Sequence, residues 1–332
     1  MAGSGPVRIG ILGAARIAPM ALIRPARSVP DVSVVAVAAR DPERARKFAA
    51  KHAIPRVHES YAALFADPEV DAIYNPLPNG LHCEWTIRAL EAGKHVLCEK
   101  PLAANAEEAQ RMAEAAAASG RLLAEAFHWR YHPLAERMRQ IITSGELGTV
   151  RHVEVKFCIP FLLPGDIRYN LALAGGATMD VGSYTVSVAR FLAAAEPEVV
   201  RAEARLSSPG VDRWMTAELR FPDGRTGRVT HALLSSTLLA ARAEVRGDRG
   251  TMRVLNPIAP HFLNRVTVRT ESGRRSESVK GEPTYVGQLR AFARAVRGEV
   301  SMPTDGQNGV ANMRVIDSIY EKAGLRPRGY QA

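Results

Sequence analysis

Apolar positions recur along this chain with two alternating periods. Val7-Arg-Ile-Gly-Ile-Leu12 is a short apolar run that stops at Gly13, the pattern of a strand buried on both faces. Residues 16–27 then read as helix and Ser33–Ala39 as a second strand. Asp41-Pro42 opens a helix through about Lys51, because Asp caps well and Pro is tolerated at the first helical position. Short strands follow at Arg56–His58, Val70–Tyr74, His95–Cys98 and Leu122–Ala126. Helices over 80–92, ending at Gly93, and 105–119, ending at Gly120, lie between them. This βαβ repetition predicts a parallel, doubly wound sheet of the Rossmann type.

The pattern changes after about residue 130. A helix is predicted over 132–144, and Val150–Phe157 alternates as a strand with Val153, Val155 and Phe157 on one face. A helix over 181–194 follows the Gly175-Gly176 turn. Residues 198–270 carry several strands divided by Pro-Gly, Pro-Asp-Gly and Gly-Asp-Arg-Gly turns. Pro222-Asp-Gly224, between Leu219-Arg-Phe221 and Gly227-Arg-Val229, predicts a hairpin. Helices over 284–297 and 307–323 close the chain. The expected architecture is therefore an α/β domain over 1–127 and an α+β domain over 128–332 built on a mostly antiparallel sheet.

With 332 residues, 46% of them hydrophobic and 23% charged, the chain can bury two cores. Its formal charge is +10, carried by 37 Arg against 7 Lys. The arginines are dispersed, with no run of five basic residues and no basic helix stripe interleaved with aromatics. No nucleic-acid partner is therefore expected. Cys83, Cys98 and Cys158 show neither metal spacing nor a disulfide framework, which suits a reducing compartment. Met1-Ala-Gly-Ser-Gly-Pro6 lacks the charged and apolar regions of a leader, and no apolar stretch approaches a bilayer's thickness. A cytoplasmic protein with no membrane partner is expected. No H-x-E, H-x-x-x-H or C-x-x-C arrangement suggests a metal, and no motif supports a nucleophilic Ser or Cys.

Gly13-Ala-Ala15-Arg16-Ile17-Ala18 keeps only the first glycine of G-x-G-x-x-G. That glycine makes the tight turn, and small residues at 15 and 18 leave room for pyrophosphate and close helix packing. The helix start adds N–H donors and a positive dipole for phosphates. Arg16 would stack on adenine, touch phosphate, or simply face solvent. At the end of the second strand Arg40 stands where NAD enzymes place an acid, with Asp41 one residue later. An arginine there suits a 2′-phosphate, so NADP(H) is favoured, with NAD(H) possible and a helix-capping role for Asp41 left open. Pro78 and Asn79, in Asn75-Pro-Leu-Pro-Asn79, lie at the carboxyl end of a strand, under the expected cofactor. Glu99-Lys100-Pro101 follows the next strand, placing a lone lysine where the nicotinamide end of a dinucleotide belongs.

Together these residues resemble the glucose–fructose oxidoreductase, inositol dehydrogenase and rhizopine catabolism (Gfo/Idh/MocA) family over essentially the whole chain. The matching segments are Gly10–Ala18, Pro78–His82, Ala92–Pro101, Glu125-Ala-Phe-His-Trp-Arg-Tyr-His-Pro133 and Gly175-Gly-Ala-Thr-Met-Asp-Val-Gly-Ser-Tyr184. The resemblance implies a Rossmann domain followed by an open-faced sheet domain that commonly builds a homodimer or a higher homo-oligomer. Many members carry histidine four residues after the aspartate, where this chain has Tyr184. That tyrosine is similar to glucose–fructose oxidoreductase, NADP-dependent xylose or glucose 1-dehydrogenases and dimeric dihydrodiol dehydrogenase.

The implied catalytic set is Lys100, Asp180 and Tyr184. Asp180 and Tyr184 are four apart, so on one helix they share a face. With Lys100 supplied by the other domain, the three would meet at an interdomain crevice. A free tyrosine titrates near ~10, and a nearby cation lowers an acid's pKa by roughly 1–3 units. Tyr184 would take the proton from a substrate hydroxyl while Lys100 polarises that oxygen, with the roles of the two interchangeable at this stage. Asp180 would orient a sugar hydroxyl or the lysine. Structural alternatives exist for each: core tyrosine, helix cap, surface lysine. Glu99 would bind a ribose hydroxyl or pair with a helix end, and His82 would start a helix beneath the cofactor. Trp129 and Arg130 would line the nicotinamide pocket, although Trp129 equally suits a core. Arg168 would contact substrate or cofactor, or pair with Asp166. The expectation is an NADP(H)-dependent oxidoreductase on a small polyol or carbonyl, with aldose C1 oxidation to a lactone favoured. Keto-sugar reduction, trans-dihydrodiol oxidation and a non-catalytic dinucleotide-binding regulator are the alternatives.

Overall fold

The computed structural model describes residues 5–329 apart from Leu162 and Pro164, so the leaderless start expected at Met1–Ser4 lies outside the described residues. Strands β1 (Val7–Leu12), β2 (Val32–Ala38), β3 (Arg56–His58), β4 (Ala72–Asn75), β5 (His95–Cys98) and β6 (Leu123–Glu125) form one sheet in the order β3-β2-β1-β4-β5-β6. Every neighbouring pair is parallel. Ile9, Ile11, Leu12, Ile73, Tyr74, Val96 and Leu97 are all fully buried, which is why these strands read as apolar runs without alternation. Chain order reverses between β1 and β4, and doubly wound sheets bind ligands outside the carboxyl ends of their strands at such a point. The connections carry a π-helical turn (Pro19–Ile23) continued by α1 (Arg24–Ala26), then α2 (Pro42–His52), α3 (Tyr61–Ala66), α4 (His82–Glu91) and α5 (Ala106–Ser119). The sequence did not announce α3, a six-residue helix capped by the Ser60 hydroxyl, which accepts from the Ala63 amide at 3.0 Å.

The second sheet has eight strands. These are β7 (Val150–Cys158), β8 (Glu198–Ser208), β9 (Val211–Arg220), β10 (Thr226–Ala232), β11 (Ala240–Gly247), β12 (Gly250–Leu255), β13 (Arg265–Thr270) and β14 (Gly273–Glu277). Their order is β14-β13-β12-β11-β7-β10-β9-β8. All pairs are antiparallel except β7–β10. The expected hairpin at Pro222–Gly224 joins β9 to β10. α6 (Pro133–Thr143) precedes the sheet, and α7 (Ser183–Ala193), led in by a π-helical turn at Thr178–Gly182, packs on β7 and β10. α8 (Thr284–Val296) and α9 (Gly306–Lys322) end the chain.

Contacts divide the chain into two units, and the expected cut at 127/128 is crossed by a later segment. Tyr285–Val310 groups with the parallel sheet. Val286, Leu289, Phe292, Ala293 and Met302 bury themselves in the cluster that contains Ile9, Ile11, Tyr74 and Leu97. Helical periodicity located α8 correctly, but periodicity does not say which apolar face a helix will cover.

Candidate active site

The carboxyl edge of the parallel sheet gathers most of the predicted cofactor residues. Gly13 follows β1 with φ +72°, a left-handed turn that costs a glycine nothing, and its amide donates to Ala38 O at 2.6 Å. A Cβ there would sit 3.1 Å from Leu77 Cδ2, so the turn and the β4 loop lie against each other. Ala15 and Ile17 are partly buried in the turn, whereas Arg16 is exposed. Arg40 is exposed just past β2, and Asp41 caps α2, accepting from the amides of Glu43 and Arg44 at 3.0 and 3.2 Å. The capping role for Asp41 therefore holds. Two further residues join this corner. Arg44 donates to Ala14 O at 3.1 Å, and Tyr61 interacts with Arg40, its phenol raised by burial. Arg44 was legible in principle, since it stands one helical turn after Arg40; Tyr61 was not, because α3 was not expected.

Pro78 and Asn79 are partly buried beyond β4, where Asn79 opens a 3-10 turn into α4. The loop carrying Lys100 is braced on three sides. Tyr74 donates to Glu99 Oε1 at 2.7 Å. Glu125 Oε1 accepts from the Leu102 amide at 2.9 Å. His82 places Nδ1 2.9 Å from Pro101 O and Nε2 2.7 Å from Leu77 O. Tyr74, Glu125 and His82 are each fully buried, and the Lys100-Pro101 peptide is cis. Burial lowers the His82 pKa and raises that of the Tyr74 phenol, with the Glu99 charge adding to the latter. His82 was expected beneath the cofactor; it has no exposed surface and lies between two loops, where the neutral ring donates to one of the two carbonyls that face it. Trp129 is likewise core, 1% exposed, while Arg130 is partly exposed.

The second unit brings together the other predicted residues. The π-helical turn and α7 make one continuous helical segment, which puts Asp180 and Tyr184 on one face. Asp180 lies inside that turn and does not cap it; its Oδ2 accepts from Arg168 Nε at 2.8 Å. Arg168 Nη1 also reaches Asp166 Oδ1 at 3.0 Å, and the guanidinium lies 4.5 Å from the centre of the Phe161 ring. Of the two readings offered for Arg168, the pairing with Asp166 is present, and the same guanidinium also pairs with Asp180. Tyr184 is 7% exposed and meets Phe157 edge to face, ring centres 5.8 Å apart. Ala177, Val181 and Leu233, with Phe157, Ile159, Phe161 and Tyr169, make an apolar wall around this turn. A carboxylate and a phenol on such a wall can orient and deprotonate a polyol. Among the described residues no group of three or more His, Cys, Asp or Glu side chains could hold a metal, and no helix is long and apolar enough to cross a membrane.

The 3-2-1-4-5-6 strand order with a glycine turn after β1 defines a dinucleotide-binding domain, and the donors at its carboxyl edge suit one: a left-handed turn, a helix start and arginines past β2. Residues 7–127 match the family described as "Oxidoreductase family, NAD-binding Rossmann fold", and residues 135–253 match the GFO/IDH/MocA C-terminal domain. The chain belongs to the Gfo/Idh/MocA oxidoreductase family. It is 38% identical to an uncharacterized oxidoreductase of Rhizobium meliloti, over 96% of this chain and 97% of that one. It is 37% identical to a D-xylose 1-dehydrogenase (NADP(+)) of Haloferax volcanii, over 95% and 96% of the two chains. Among solved structures, a 3-ketoreductase from Actinomadura kijaniata in complex with NADP and TDP-benzene superposes with TM-score 0.89 at 29% identity, covering 97% of this chain and 98% of that one. That reductase has also been crystallised with one lysine changed to alanine and, separately, one tyrosine changed to phenylalanine.

Proposed function

We propose that this chain is an NADP(H)-dependent oxidoreductase for a sugar-like hydroxyl or carbonyl, with oxidation of an aldose at C1 to its lactone the favoured reaction. The observation that carries the reading is the Lys100 loop: a strand-end lysine at the ligand-binding edge of the sheet, locked by Tyr74, His82 and Glu125. Rigid placement of this kind is what a group acting on a reacting oxygen requires. When bound, the nicotinamide supplies the two-electron acceptor. Tyr184 takes the proton as the substrate O–H bond breaks, the C–H bond on the same carbon breaks and gives up its hydride to that acceptor, the C=O bond forms, and Lys100 holds the oxygen. Asp180, fixed by Arg168, orients a neighbouring hydroxyl. Arg40, with Arg44 beside it, favours the 2′-phosphate of NADP over the bare ribose of NAD. Likeness to the 3-ketoreductase supports a second reading, reduction of a keto-sugar by the same groups run in reverse.

Lys100→Met and Tyr184→Phe should each lower kcat about 100-fold or more on D-xylose or D-glucose with NADP+, the usual scale for losing a general acid–base group. NADP+ binding, followed by protein fluorescence, should persist. Full turnover in either variant would overturn the assignment.

A further inference from the structure

A fully buried ionic network lies directly beneath the turn that carries Asp180. Asp212 has no exposed surface, and its Oδ2 accepts from both the Thr178 amide at 2.7 Å and the Thr178 hydroxyl at 2.6 Å. Its Oδ1 accepts from Arg328 Nη2 at 2.9 Å and from the Tyr320 hydroxyl at 3.0 Å. Arg328 also donates from Nε to Gly175 O at 2.9 Å, and its guanidinium lies 3.9 Å from the centre of the Tyr320 ring. Asn105, five residues along the chain from Lys100, donates to Arg328 O at 2.8 Å. The fit leaves no slack. Gly176 has φ +139°, and a Cβ there would come within 2.2 Å of Asp212 Oδ1 and 3.1 Å of Arg328 Nη2.

We propose that Arg328 is a positioning residue, whose guanidinium acts through Asp212 to fix the turn that presents Asp180 and Tyr184 to substrate. The inference rests on the catalytic reading of those two residues. A π-helical turn has wider hydrogen-bonded rings than an α-helix and recurs at functional sites. Its first amide here is held by Asp212, a side chain on β9, and the far side of that carboxylate is held by α9 and the tail. Such a buried pair adds little net stability over apolar residues of the same volume, because desolvation offsets the attraction. What it does supply is a single permitted geometry. Thr178 lies two residues before Asp180 and six before Tyr184, so a shift of the anchor is a shift of both groups.

The test uses the full chain with Arg328→Met, Arg328→Lys and Tyr320→Phe. Arg328→Met should lower kcat about 10- to 100-fold, the scale of an ångström of misplacement. Its NADP+ Kd, read by fluorescence, should stay within about twofold, and Arg328→Lys should recover part of the rate. Arg328→Met combined with Tyr184→Phe should lower kcat by clearly less than the product of the two single losses, because the guanidinium acts in part through Tyr184. Multiplicative losses, or wild-type kcat in Arg328→Met, would overturn the proposal. If Arg328→Met does not fold, Tyr320→Phe decides: it removes one donor to Asp212 and keeps the ring, and unchanged kcat refutes. Should Tyr184→Phe itself turn over at full rate, the catalytic reading fails first. An inactive Tyr184→Phe beside a fully active Arg328→Met defeats the positioning role alone.

Discussion

His231 is fully buried against the same turn, with Nε2 2.9 Å from Thr178 Oγ1 and Nδ1 3.0 Å from Thr185 Oγ1. Thr178 gives its one hydroxyl proton to Asp212, so the ring donates from Nε2, and the neutral ring's Nδ1 shares the single Thr185 hydroxyl proton with Gly182 O, 2.9 Å from that hydroxyl. Burial holds the His231 pKa down to about 4 against 6.5 in the unfolded chain, with the Asp212 charge opposing that shift only in part. A histidine with a lowered native pKa binds its proton first in the unfolded state. Stability is therefore complete above pH 6.5, falls as the pH drops through the window from 6.5 to about 4, and loses nothing further below it. At 1.36 kcal/mol per pH unit the whole window amounts to about 3 kcal/mol, of which about 2 kcal/mol is gone at pH 5. The perturbation is His231→Gln, and the assay is urea unfolding of variant and wild type at pH 8 and pH 5. Comparing variant with wild type cancels the histidines that both proteins share, among them His82 and His132, whose pKa values burial also lowers. The wild type should lose about 2 kcal/mol more than the variant over that interval, whatever the variant costs at pH 8. Equal losses in the two proteins would show that His231 is not held neutral by its burial.

Replacing both Arg40 and Arg44 with Ala should weaken NADP+ binding about 10-fold or more and leave NAD+ binding within a few-fold, the expectation for charge-assisted contacts to a 2′-phosphate; equal weakening of both cofactors would place the arginines elsewhere on the dinucleotide. Arg168→Gln breaks an ion pair with Asp180, whose side chain is 15% exposed, and another with Asp166, 1% exposed. It should cost about 2–3 kcal/mol in urea unfolding and raise the KM for sugar, and an unchanged KM would mean that Asp180 does not touch substrate.

The parallel sheet was legible because its strands are buried on both faces and its helices carry strong stops. Arg56–His58 and His95–Cys98 were located to the residue, and Asp41 was recognised as the cap it is. The placement of the candidate site residues was legible where they sit next to a turn: Gly13 follows β1, Arg40 stands just past β2, and Lys100 follows β5. It was not legible where long-range packing decides. His82 reads as a polar residue at a helix start, yet its ring is fully buried between the carbonyls of Leu77 and Pro101, residues on two separate loops. Trp129 reads equally as pocket or core, and burial makes it core. Tyr285–Val310 joins the first unit because its apolar face completes a cluster whose other members lie in the first half of the chain.

The two halves of the proposed chemistry are stiffened by different means, and the difference follows from what each carries. The Lys100 loop is held largely by contacts to backbone atoms, at Pro101 O and the Leu102 amide, with the Tyr74–Glu99 bond fixing the residue before it. A lysine side chain is long and has four rotatable carbon–carbon bonds, so only a rigid loop can bring its ammonium repeatedly to one place. Asp180 and Tyr184 have only two side-chain torsions each and stand on a helical segment, so their aim is set largely by the axis and phase of that segment. A side-chain anchor at its first amide is the direct way to set both, and Asp212 supplies it with Tyr320 and Arg328 behind. The tail residue Arg328, which looks expendable in the sequence, is on this argument as much a part of the site's geometry as the glycines it lies against.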